Sequence, residues 1–96
     1  MSGANELIDE YLATSFTNPL TIARYGHYLR QSDEGFGLVR AAEEESGPER
    51  IAQWLPEGHT LKTQGMYHSV LKGFYEWAAE KTGRLGRNPM NRVDRA

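Results

Sequence analysis

Apolar residues recur along this chain at helical spacing and never in alternation. Leu7, Ile8, Tyr11 and Leu12 stand three and four residues apart, with Glu6, Asp9 and Glu10 among them. That pattern is one face of an amphipathic helix, predicted over 5–14 with Asn5 as its N-cap. The acids crowd the first turns, where the helix dipole favours them. Ser15-Phe16-Thr17 breaks the pattern. Asn18 and Pro19 then form a start signal, because proline fits the first helical position, where its missing N–H leaves no partner wanting. Leu20, Ile22, Tyr25, Tyr28 and Leu29 follow, with Arg24, His27 and Arg30 off their stripe. Ser32-Asp33-Glu34-Gly35-Phe36-Gly37 reads as turn chemistry.

A short helical pattern over 38–45 ends at Ser46-Gly47-Pro48, and Pro48 restarts a helix with Ile51, Trp54 and Leu55 on one face. Pro56 closes it, and 56–62 is expected to be a loop. The strongest element is predicted at 62–82. Tyr67, Val70, Leu71, Phe74, Trp77 and Ala78 make one broad apolar stripe there. Gly83 supplies the stop, with Lys81 in the last turn. From Arg84 the chain carries Arg, Asn, Pro and Gly with few anchors, so 84–96 is expected to be a linker. No strand pattern and no internal repeat intervenes, and the reading is all-α with four or five short helices.

Ninety-six residues, 39% hydrophobic and 25% charged, set the scale of a single soluble domain. No apolar run approaches the ~20 residues of a bilayer span, and the first residues carry no secretory pattern, so a cytoplasmic location is expected. With no cysteine and three scattered histidines, neither disulfides nor a zinc site is expected, and no cofactor is implied. The net charge of −2 hides an asymmetry. Residues 1–58 hold four basic against ten acidic side chains, hence −6, and residues 59–96 hold seven against three, hence +4. A side facing a polyanion is therefore sought in the C-terminal half.

The inventory of chemistry is thin. No serine lies in a Gly-x-Ser-x-Gly elbow, and Gly83-Arg84-Leu85-Gly86 lacks the Gly-Lys-Ser/Thr of a P-loop. Asp9 and Glu10, being adjacent, point to different sides of a helix. No catalytic constellation emerges, and the chain is not read as an enzyme by itself. What remains is the polar side of the last long helix. Gln64, His68 and Lys72 are spaced i, i+4, i+8, with Lys62 and Thr63 at the helix start, where backbone N–H groups suit a phosphate. Arg24 and His27 form a second polar patch. Each is either a solvated face or a contact surface; glutamine and lysine fit base edges and phosphates respectively.

Thr17 to Arg30, with Thr21, Tyr25 and Leu29, resembles the Thr-x-x-x-Tyr-x-x-x-Leu second helix of the N-terminal core-binding domain of tyrosine recombinases, the phage-integrase family. Ser69-Val70-Leu71-Lys72-Gly73-Phe74-Tyr75 is similar to that family's Ser-Ala-Leu-Arg/Lys-x-Phe-Tyr/Phe. Arg87 to Val93 is similar to its Asn-Pro-x-x-x-Val. The likeness spans nearly the whole chain in order. It implies an orthogonal four-helix, SAM-like bundle over 1–83, followed at 84–96 by the start of a linker to an absent catalytic domain.

In the family this domain and the catalytic domain close around duplex DNA, with the second and fourth helices toward the major groove. By position, the resemblance implies DNA contacts from Arg24, His27, Lys62, Thr63, Gln64, His68 and Lys72. The expected partner is double-stranded DNA, with no membrane; the isolated domain is expected to be monomeric and the full recombinase oligomeric on DNA. The family's catalytic residues belong to the second domain, so Tyr11, Tyr25, Tyr28, Tyr67 and Tyr75 are not its nucleophile. The alternative is a small helical protein-interaction module using the acidic half.

Overall fold

A computed structural model describes residues 3–93. Among the described residues the chain is helical and contains no strand. Helix α1 spans Gly3–Ser15, α2 Pro19–Phe36, α3 Leu38–Glu43, α4 Gly47–Trp54 and α5 Leu61–Tyr75. The α5 rod continues over Glu76–Lys81 with wider turns, the Thr82 N–H donating to the Trp77 carbonyl five residues back at 2.9 Å. A short 3₁₀ turn, Pro89–Arg92, follows. No helix among the described residues is long and apolar enough to cross a membrane.

The local signals act at several boundaries. The Asn18 side chain accepts from the Leu20 and Thr21 N–H groups ahead of Pro19, starting α2. Thr60 caps α5 by accepting from the Thr63 N–H at 3.2 Å. Gly83, at φ 67°, takes the left-handed conformation that stops the long rod. Asn5 departs from expectation: it lies inside α1, which starts at Gly3, and is not its cap.

Helix α2 also departs from expectation, running straight through the segment read as a turn. Ser32 is fully buried, and its hydroxyl donates back to the Tyr28 carbonyl at 2.9 Å. The Asp33 carboxylate accepts from the Leu38 N–H at 2.9 Å. Polar residues that favour a turn in isolation thus serve the helix end. The stop moves to Gly37 at φ 80°.

Ile8, Leu29, Leu38, Ile51, Leu71, Phe74 and Tyr75 are fully buried and join all five helices into one core. Helix α1 packs on α2, α3 on α4, and α2 against both α5 and the α3–α4 pair. Tyr11 is an aromatic hub, edge-on to Phe16 at 5.5 Å and to Phe74 at 5.7 Å. Tyr75 donates its hydroxyl to the Leu38 carbonyl at 2.6 Å, tying α5 to α3. Trp77, placed on the apolar stripe by its spacing, is only half-buried, and Tyr75 takes the deeper position.

Residues 84–93 are not the unanchored linker expected. Leu85, Pro89, Met90 and Val93 are buried, and the 3₁₀ turn lies against α5 and α4. Arg84 pairs with Glu10 at 2.6 Å, and the Asn88 amide donates to Glu80 at 2.7 Å. The packed unit therefore continues past Gly83 to Val93.

Candidate nucleic-acid interface

The buried side of α5 is set by Tyr67, Val70, Leu71 and Phe74. At about 100° per residue, the opposite side carries Leu61, Lys62, Gly65, Ser69, Lys72 and Glu76. Leu61, Lys62, Ser69 and Lys72 are exposed, and Gly65, Gly73 and Glu76 are half-exposed. Helix α2 flanks this side through Thr21, Tyr25 and Tyr28, and presents Leu20, Arg24 and His27 to water. The Tyr28 hydroxyl reaches the Met66 sulfur at 3.6 Å, fixing the two helices side by side.

Two recesses shape this surface. One, of about 390 Å³, lies between the helices, with Tyr25 on one wall, Leu61 and Lys62 at the rim, and Met66 and Val70 deeper. The other, of about 480 Å³, runs down the outer side of α5 between His68, Lys72 and Glu76. Gly65 and Ser69 keep the surface low, so a bulky partner could approach the α5 backbone closely, whereas Gly73 makes room for the Tyr11 hydroxyl, which an added Cβ would meet at 2.8 Å.

Of the seven side chains expected to meet DNA, Arg24, His27, Lys62 and Lys72 are exposed on this surface. Thr63, Gln64 and His68 are not free to do so. Thr63 is half-buried, and its hydroxyl accepts from Thr60 at 3.1 Å within the α5 cap. The Gln64 amide donates to the His59 carbonyl at 3.1 Å, closing the loop ahead of α5. His68 Nε2 lies 3.0 Å from the Val93 carbonyl, which only accepts, so the nitrogen carries the proton and holds the C-terminal segment on α5. The stripe Gln64–His68–Lys72 is therefore split, with two members toward neighbouring chain and only Lys72 toward solvent. Leu20, Thr21, Tyr25, Leu61 and Ser69 take the vacated share of the surface; the exact phase of α5, not its polar composition, is the signal for the last two.

The cations divide sharply. Arg30 pairs with Asp9 at 2.7 Å, Arg40 and Arg50 with Glu44 at 2.8 and 3.2 Å, and Arg84 with Glu10. All four lie off the α2–α5 surface. Arg24, Lys62 and Lys72 have no carboxylate within 4.0 Å among the described residues. Lys81, Arg87 and Arg92 are likewise unpaired there, at or beyond the end of the α5 rod.

Burial pushes the Tyr11 phenol up to about 12, with Tyr25 and Glu76 adding to the shift. Burial also raises Tyr67 and Tyr75. These phenols stay neutral and pack. The Glu44 carboxylate is held below its usual range by the hydrogen bond from Arg40, an exposed pair of small energetic weight. Among the described residues no three His, Asp or Glu side chains gather in a metal-holding cluster. Compared with known proteins, the chain matches no protein-family model, no curated protein and no solved structure.

Proposed function

We propose that this chain is the DNA-holding module of a tyrosine recombinase, an orthogonal four-helix SAM-like bundle that lays α2 and α5 against duplex DNA. In this reading α1, α2, the α3–α4 pair and α5 stand for the four helices. The module would position the duplex for integration or recombination, with the strand chemistry supplied by a catalytic domain outside these residues. The resemblance of the α2 and α5 motifs supplies the family. The observation that carries the reading is the charge arrangement: in a chain of net charge −2, Arg24, Lys62 and Lys72 stand unneutralised on one surface. So few positive charges imply weak, largely sequence-independent and salt-sensitive binding.

The test is a titration of the isotope-labelled chain with short duplex at low salt. Amide shifts should concentrate in the first half of α2 and along the outer side of α5. An absence of shifts would overturn the reading. Shifts confined to 38–58 on adding a basic protein would favour the interaction module instead.

A further inference from the structure

We infer that the recess between α2 and α5 seats the 5-methyl group of thymine, making the module prefer thymine-bearing duplex; this rests on the DNA reading above. Leu20 and Leu61 are the exposed large hydrophobics among the described residues, at 78% and 76% accessible. A single exposed leucine carries no message. These two occupy the first turns of the two helices that hold the unpaired cations. They also border adjoining recesses, because Tyr25 lines both the one with Leu61 and the one with Leu20, Thr21 and Arg24.

The occupant must satisfy two demands together. Met66, Val70, Leu61 and the Tyr25 ring ask for apolar atoms, while Lys62 and Arg24 at the rims ask for anions. No acid lines either recess. The major-groove edge of an A·T pair offers this combination, a methyl group beside the O4 acceptor with phosphates flanking it. The Ser69 hydroxyl lines the same recess as a donor suited to that oxygen. Lys62 and Arg24 would then hold the backbone while the leucines and Met66 close over the methyl.

The experiment compares binding of the full chain to an alternating adenine–thymine duplex and to the same duplex with uracil for thymine, by fluorescence anisotropy at low salt. Removing the methyl leaves pairing and phosphates in place. Burial of one methyl group predicts about 4-fold tighter binding to the thymine duplex, and two about 15-fold. Leu20→Ser with Leu61→Ser should bring the ratio to one, a melting curve confirming the fold. Equal binding of both duplexes by the unmodified chain would overturn the inference while leaving DNA binding intact. A ratio that survives the double substitution would overturn its assignment to this recess. Failure of both duplexes to bind would overturn the DNA reading itself.

Discussion

Arg24, Lys62 and Lys72 are expected to set the salt dependence of duplex binding. Each phosphate neutralised releases condensed counterion, so log K falls against log salt with a slope of about −0.9 per contact. Three contacts give a slope of about −2.7, or roughly a 40-fold loss of affinity between about 50 and 200 mM salt. Arg24→Ala, Lys62→Ala and Lys72→Ala should each flatten the slope by about 0.9, and the triple variant should bring it near zero. The three side chains are exposed and have no ion pair to lose, so stability should stay within about 0.5 kcal/mol per site. Arg30→Ala is the control, since it removes the same charge where Asp9 already neutralises it. The assay is anisotropy of a labelled duplex over a salt series, with melting curves on every variant. A triple variant keeping the original slope would refute the reasoning. So would Arg30→Ala flattening the slope as far as Lys72→Ala, because net charge and not placement would then govern binding.

Three further outcomes follow from the packing. Phe74 is fully buried against Tyr11 and Tyr75, and Phe74→Ala should cost about 3–5 kcal/mol, as much as so small a core supplies; a native-like melting curve would contradict its place in the core. Tyr11 is raised from 10.0 to about 12, and Tyr67 and Tyr75 are raised with it, so their neutral forms are what the fold holds. That stability is fully present below the unfolded value near 10 and is lost as pH rises toward the folded values. The urea midpoint should therefore hold up to about pH 9 and fall from about pH 10 toward pH 12, and a midpoint flat across that range would count against these burials. His68→Ala should speed amide exchange over 90–93 while leaving the salt slope of DNA binding unchanged; a flatter slope would return His68 to the interface.

His68 separates what a sequence of this kind exposes from what it conceals. The helices and several of their ends were legible because their causes are local: a cap and proline at Asn18-Pro19, a left-handed glycine at Gly83, an apolar repeat within α5. The extension of α2 was not, because turn-forming Ser32 and Asp33 favour helix only once Leu38 and the core are there to receive them. The same holds more sharply for the C-terminal segment. Leu85, Pro89, Met90 and Val93 are too few and too irregularly spaced to announce an element, and their burial depends on α4 and α5 already standing together. Once that segment is in place it covers one flank of α5 and His68 becomes its partner beneath Val93, while Gln64, in the first turn of the helix, is taken up by the His59 carbonyl of the loop ahead. Lys72 escapes because it lies farther round the helix, on the line of Lys62 and Ser69. The polarity of α5 was thus visible in the sequence, but which polar residues face a partner is decided by what else packs on the helix. In the proposed reading the weight falls on the cations outside any ion pair, Arg24, Lys62 and Lys72, and on the recess between α2 and α5 that Lys62 borders.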